Sequence, residues 1–163
     1  MAGNRSTIGV IKNNICYLAH PVFSIYSAFG TVALKDYVIK TVKEFLGKPM
    51  LCANLPSTAR VSLMKKNSEN CFVLHLLYAN PIKRGGEMDV ETDYSGKTNS
   101  IEVIEDLLPI HNIDVELKIE NTIKSVTLQP QNKAVTFTQK NGLLTFKVEK
   151  LLCHQMIELL KNG

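Results

Sequence analysis

From residue 56 onwards, apolar and polar residues alternate, and this pattern limits the fold more than any other feature of the chain. In the segment 113–120, "IDVELKIE", every apolar residue is followed by a charged one. Successive side chains of a β-strand point to opposite faces of a sheet, so strict alternation predicts a strand with one face in a core and the other in solvent.

Further segments of this kind follow one another at short intervals. Turn signals separate them, including "NSEN" at 67–70, Gln131-Asn132 and Asn141-Gly142. Strands at this spacing predict a mainly β chain, with an antiparallel β-sandwich over residues 56–163. The chain has no tryptophan, which excludes the cysteine–tryptophan–cysteine pattern of an antibody-type domain. The predicted strands are "ARVSLMKK", "CFVLHLLYAN", "IEVIEDLLPI", "IDVELKIE", "KSVTLQP", "AVTFTQ", "LLTFKVE" and "HQMIELL".

Residues 1–55 differ from the rest and predict a small α/β segment. Residues 7–19 favour a hairpin that turns at Asn13-Asn14, and residues 31–46 favour an amphipathic helix that ends before Gly47 and Pro49. One hairpin and one helix cannot bury their own apolar sides. We therefore expect the apolar stripe of the helix to be an interface, with the residues Leu34, Val38, Val42 and Phe45.

Composition excludes several classes of partner. The chain has 163 residues, 45% of them hydrophobic and 21% charged, which suits an ordinary globular protein. Its net charge is +4, but the lysines are scattered and no aromatic residues interleave them, so we expect no nucleic-acid partner. No stretch is apolar enough to span a bilayer and no signal peptide is recognisable, so we expect no membrane partner and, for a free-standing chain, a cytoplasmic location.

No motif for a metal or a cofactor is present. The histidines His20, His75, His111 and His154 lack the HxH and HxxxH spacings, and no two cysteines form a CxxC pair. We therefore expect no zinc site and four free thiols. The segment 89–100 begins like a calcium loop, but it has Tyr94 where the glycine is required and Ser100 where the glutamate is required. Phosphate-binding and nucleophile-elbow motifs are missing too, so the chain is expected to hold no cofactor and to have no catalytic residues.

Two further candidates for sugar chemistry remain. Glu102 and Glu105 resemble a pair of catalytic carboxylates, but in a strand they point to opposite faces and could not flank one glycosidic bond. Sugar-binding sandwiches rely on exposed aromatic rings, and Tyr94, in the polar stretch before residue 100, is the one clear candidate for that role.

His75 stands alone in the apolar run "CFVLHLLYAN". Alternation places His75 on one face of the predicted strand with Cys71, Val73 and Leu77. No acid or serine lies within two residues of it. We expect a structural imidazole whose donor and acceptor are satisfied by backbone or by a cross-strand side chain.

The order of the segments resembles the end of certain glycoside hydrolases. Residues 16–47, "CYLAHPVFSIYSAFGTVALKDYVIKTVKEFLG", are similar to the last strand and helix of the β-galactosidase trimerisation domain, a flavodoxin-like module of family 42 enzymes. The later segments, among them "PSTARVSLMKKNSENCFVLHLLYANPIKRG" and "GLLTFKVEKLLCHQMIEL", resemble the C-terminal sandwich of the same enzymes, in the subgroup called hypothetical glycosyl hydrolase 6.

This resemblance implies two domains and no catalytic centre. Residues 1–55 would be the tail of the trimerisation-type module, and residues 56–163 the C-terminal β-sandwich. In that family the catalytic carboxylates lie in a barrel, which would need about 250 residues of alternating strands and helices that this sequence lacks. Two functions stay open: a non-catalytic accessory or oligomerisation module of a β-galactosidase-like enzyme, with the catalytic domain or a second copy as partner, or a carbohydrate-binding sandwich.

Overall fold

The chain divides into two compact units, Met1–Pro49 and Met50–Gly163. The structure, a computed structural model, describes residues 9–84 and 101–162. The first unit contains a hairpin and two helices: β1 (Gly9–Lys12), β2 (Ile15–Leu18), α1 (Val22–Phe29) and α2 (Val32–Leu46).

The hairpin follows from its turn residues and from a close approach to α2. Asn13 takes a φ of 53° between β1 and β2, as the sequence predicts for an asparagine in a tight turn. A Cβ atom at Gly9 would lie only 2.9 Å from the hydroxyl oxygen of Tyr37, so glycine is required where the hairpin meets α2. Thus the predicted hairpin and amphipathic helix are both present.

Helix α1 was not predicted from the sequence. Its segment is apolar nearly throughout, so it lacks the polar–apolar periodicity by which a helix is recognised. It ends where Gly30 adopts a φ of 62° and donates its N–H to the Tyr26 carbonyl at 2.8 Å. The small first segment therefore contains two helices instead of the expected one.

The second unit contains eleven strands within the described residues. A single 3-10 turn, Asn67–Glu69, joins the second and third of them. The strands are β3 (Leu51–Ala53), β4 (Arg60–Lys66), β5 (Cys71–Leu77), β6 (Ile82–Arg84), β7 (Ile101–Val103), β8 (Ile110–Lys118), β9 (Ile123–Gln129), β10 (Lys133–Ala134), β11 (Phe137–Lys140), β12 (Leu143–Leu151) and β13 (His154–Lys161).

Two antiparallel sheets enclose the core. One has five strands in the order β10-β9-β13-β5-β4, the other four in the order β11-β12-β8-β3, and β6 pairs with β7 as a separate ribbon. Both large sheets contribute to one cluster of buried side chains, which includes Leu74, Leu76, Val115, Leu117, Val126, Val148, Ile157 and Leu159. The predicted antiparallel β-sandwich is therefore confirmed.

Three segments differ in detail from the predicted strands. "AVTFTQ" is split, because Lys133–Ala134 pairs with β9 in one sheet while Phe137–Lys140 pairs with β12 in the other. Alternation has the same period in both sheets, so it cannot reveal such a change. "IEVIEDLLPI" breaks after Val103, and Leu51–Ala53 adds an edge strand to the sandwich by pairing with β8.

No helix in the described parts of the chain is long and apolar enough to cross a membrane.

Candidate functional site

An open groove lies on the face of the five-stranded sheet that points away from the core. Leu74 and Leu76 of β5 are buried in the core, so strand alternation turns His75 and Leu77 to the opposite face. Ser62 is the cross-strand partner of His75, and Arg60 is the partner of Leu77. The groove has a volume of about 750 Å³, and we call it the histidine groove; it is lined by Ala59, Arg60, Val61, Ser62, Met64, His75, Leu77 and His154.

Two imidazole rings meet in this groove. Nδ1 of His75 lies 3.0 Å from Nε2 of His154, and the rings are parallel within 4° with their centroids 5.3 Å apart. One of the two nitrogens donates its proton and the other accepts it, so at least one ring nitrogen of this contact is unprotonated. His75 is half-buried, and the side-chain hydrogen-bond partner expected for it from the sequence is His154 of β13, one row away from Met156, its partner in the strand register.

Arg60 brings a positive charge to the groove. Its side chain is exposed, and none of the groove's lining residues is acidic. Within residues 9–84 and 101–162, no carboxylate forms a salt bridge with Arg60. A second depression of about 610 Å³ adjoins the groove and shares Ala59, Arg60 and Leu77 with it. Arg60 therefore lines both depressions.

A third depression, of about 400 Å³, lies near the cis peptide bond Gln129–Pro130, and we call it the glutamine groove. Its floor includes Gln155, which is only 6% exposed. The Gln155 amide donates to the backbone carbonyl of Gln129 at 2.9 Å, and its side chain pairs with that of Gln131. All its polar atoms thus have protein partners, which is the arrangement of a structural amide.

Glu149 lines the glutamine groove. Among the described residues that line the three depressions, it is the one carboxylate. Glu149 accepts a hydrogen bond from Nζ of Lys133 at 2.7 Å, and this bond lowers the pKa of the Glu149 carboxyl below its ordinary value. A lowered pKa keeps the group ionised, the opposite of what a proton-donating acid needs.

Tyr94 and the segment 89–100 lie outside the described residues. Of the two acids that resemble a catalytic pair in the sequence, Glu105 forms a bidentate ion pair with Arg84, at 2.6 and 2.7 Å. The hydrogen bond from Arg84 lowers the pKa of Glu105. Glu102 lies in β7, whereas Glu105 follows the end of that strand.

Histidines and cysteines form no metal cluster in the part of the chain that the structure describes. His20 and His111 are exposed and separate from the histidine groove. All four cysteines are free, as the sequence predicts. Cys71 is buried, and burial raises the pKa of its thiol, helped by the nearby charges of Glu158 and Glu69. A thiol in this state is a poor nucleophile.

The first unit exposes a large apolar surface. Phe23 and Phe29 of α1 are 72% and 78% exposed, and no residue of α2 is buried. Of the four predicted interface residues, Val42 is 46% exposed, while Leu34, Val38 and Phe45 are half-buried. We call the exposed apolar side chains of these two helices, among them Phe23, Phe29 and Val42, the α1–α2 apolar surface. Its use as an interface stays a prediction, as does the assignment of residues 1–55 to a flavodoxin-like module.

Sequence reasoning missed two residues of the histidine groove, Arg60 and His154. Arg60 pairs with Leu77 from β4, and His154 pairs with it from β13. Their proximity can therefore be predicted only when the strand order and register are known. The alternation within each strand was the available signal for the groove. It correctly places Arg60 and Ser62 on the same face of β4, and His75 and Leu77 on the same face of β5.

Comparison with solved structures gives a match to α-L-fucosidase isoenzyme 2 from Paenibacillus thiaminolyticus, with 31% sequence identity and a TM-score of 0.82. The match covers 96% of this chain but 22% of the fucosidase chain. No protein-family model matches the chain, and no curated protein matches it. The chain is thus similar to one portion of a glycoside hydrolase, a β-domain together with the small α/β segment that precedes it.

Proposed function

We propose that the chain is a non-catalytic accessory module of a glycoside hydrolase. The observation that carries this proposal is the match in which nearly the whole chain corresponds to about a fifth of a fucosidase chain, 96% against 22%. At 31% identity the similarity extends to the sequence as well as to the fold. In this proposal, the catalytic residues lie in the part of the parent enzyme to which this chain does not correspond.

The grooves of the second unit support a non-catalytic role. Glycoside hydrolysis generally needs two carboxyl groups on either side of the scissile bond. Among residues 9–84 and 101–162, the lining of the three depressions includes a single carboxylate, Glu149, and its hydrogen bond from Lys133 holds it in the ionised form. None of these depressions therefore supplies the acid and the nucleophile or base for this reaction.

The α1–α2 apolar surface supports a role in assembly. Burial of apolar surface contributes roughly 25 cal/mol for each Å² removed from water, so Phe23, Phe29 and Val42 would add substantially to an interface. In the proposal, the partner is the catalytic part of the parent enzyme or a second copy of the chain. The strand–helix resemblance to a trimerisation domain favours the same role.

The substrate of the parent enzyme has two candidates. The resemblance to family 42 enzymes favours a β-galactoside, and the solved structure that matches is named for an α-L-fucoside. Both substrates belong in the test. The purified chain is incubated with the 4-nitrophenyl glycosides of β-D-galactose and α-L-fucose, and we expect no release of nitrophenol. Release that persists through successive purification steps would contradict the proposal.

The second candidate function is carbohydrate binding by the sandwich. The histidine groove favours it, because an aliphatic floor with Leu77 and Met64 lies beside hydrogen-bonding groups that face away from the core. Titration of the chain with neutral monosaccharides, followed by NMR, separates the two functions. Chemical-shift changes at His75 and His154 would favour binding, and unchanged spectra would count against the binding of neutral sugars.

A further inference from the structure

The polar side chains of the histidine groove are held by the register of three strands. Arg60 on β4 and His154 on β13 both pair with Leu77, so their Cα atoms are two strand spacings apart, about 10 Å. Ser62 and His75 form the next row along the strands, about 7 Å away. Four polar side chains thus lie around one apolar side chain, Leu77, on one face of the sheet.

The charge of the groove is positive. Among the residues that the structure describes, Arg60 lines it and no acidic residue does. The nearest acid on the same face of β13 is Glu158, which pairs with Val73 two rows further along. Lys66, beyond Met64 on β4, forms an ion pair with Glu69. A guanidinium is permanently charged, and its fork of N–H groups matches the two oxygens of a carboxylate.

The histidine pair offers a complementary set of hydrogen bonds. If Nε2 of His154 donates to Nδ1 of His75, then Nε2 of His75 is a donor and Nδ1 of His154 is an acceptor. If the bond has the opposite direction, Nε2 of His75 is the acceptor and Nδ1 of His154 is the donor. In the described residues neither of those outer nitrogens has another partner. For two neutral rings, the pair therefore presents one donor and one acceptor in either case. A sugar hydroxyl, which both donates and accepts, can satisfy either one.

We propose that the histidine groove binds a carboxylate-bearing sugar, a uronate, whose carboxylate meets Arg60 and whose hydroxyls meet Ser62 and the His75–His154 pair. The C–H face of the sugar ring packs on Leu77 and Met64. The sugar part of this inference rests on the proposed link to a glycoside hydrolase, whereas the carboxylate part rests on the groove alone.

A titration with two matched sugars tests the proposal. The full chain is titrated with methyl β-D-galacturonide and with methyl β-D-galactoside, which differ in having a carboxylate or a hydroxymethyl group, and with acetate. Isothermal calorimetry gives the Kd, and NMR follows the ring protons of His75 and His154. We expect the uronide to bind about tenfold more tightly than either of the other two ligands, and its advantage over the neutral galactoside to shrink as salt is raised.

Substitution at Arg60 provides the matched test within the protein. Arg60→Ala is expected to weaken uronide binding about tenfold, to the level of the neutral sugar. Lys65→Ala is the control, because Lys65 is an exposed cation on the same strand but its position on β4 belongs to the opposite face. It is expected to leave the Kd unchanged. Circular dichroism verifies that both variants are folded.

Each remaining outcome contradicts a defined part of the proposal. Equal affinity for the two methyl glycosides would overturn the role of the carboxylate. Equal affinity for uronide and acetate would overturn the role of the sugar. Absence of binding by all three would overturn the groove as a site, while the proposed accessory role, tested by turnover and association, would be unaffected.

Discussion

Nδ1 of His75 and Nε2 of His154 are 3.0 Å apart across the strands β5 and β13. This contact joins a residue within one strand to the first residue of another, directly after the turn that contains Cys153 at a φ of 64°. The hydrogen bond therefore links the end of the β12–β13 turn to the neighbouring strand β5.

The histidine pair is expected to contribute to stability as a unit. His75→Ala and His154→Ala remove the same hydrogen bond, so the double variant should lose less than the sum of the two single variants, with a coupling free energy of about 0.5–1.5 kcal/mol. Urea unfolding of the four proteins measures it. Strictly additive losses would show that the contact does not stabilise the fold.

Leu117 tests the position of the core. It is fully buried between the sheets, so Leu117→Ala should lower the free energy of unfolding by about 2–5 kcal/mol. Leu152→Ala is the control, because Leu152 is exposed in the turn after β12 and its loss should change stability by less than about 0.5 kcal/mol. Similar losses for both variants would contradict the packing described for the sandwich.

Gln155 tests the amide network beside the cis peptide bond. Gln155→Met keeps a side chain of similar length but removes the donors to the carbonyl oxygens of Gln129 and Met156. We expect a loss of about 1–3 kcal/mol, since buried acceptors would lack those partners. Gln131→Met, at an exposed position, should cost less. The reverse order of the two losses would rule out a structural role for the buried amide.

The ion pair of Arg84 and Glu105 gives a prediction for pH. The pKa of Glu105 is lower in the folded chain than its ordinary value, so the pair's contribution to stability is complete above that ordinary pKa. It is lost as the pH falls through the lowered pKa. An NMR titration of the Glu105 carboxyl should show the shift, and Arg84→Gln should remove it. An identical titration in the variant would contradict the assignment of the shift to Arg84.

Sequence patterns predicted the strands well where one face is in the core and the other in solvent. Residues 113–119 are the clearest example, because Ile113, Val115 and Leu117 are buried and the residues between them are not. Helix α1 was missed because a largely apolar segment has no periodicity to read. The histidine groove was missed because Arg60, His75 and His154 come from three strands whose order and register no local pattern contains.

Association tests the α1–α2 apolar surface. We expect sedimentation equilibrium to show a dimer or a larger assembly, and Val42→Asp to shift it towards monomer, because a carboxylate in an apolar interface would lose its hydration. Lys40→Asp is the control on the polar side of α2. A strict monomer at every concentration would exclude self-association and leave the catalytic part of the parent enzyme as the proposed partner.

Turnover is the decisive measurement for the proposal that this chain is a non-catalytic part of a glycoside hydrolase. The chain is purified to homogeneity and incubated at high concentration with aryl β-D-galactosides and aryl α-L-fucosides, and the released phenol is measured against buffer alone. We expect no release above the buffer rate with either substrate. Hydrolysis that scales with the concentration of the pure chain would contradict it.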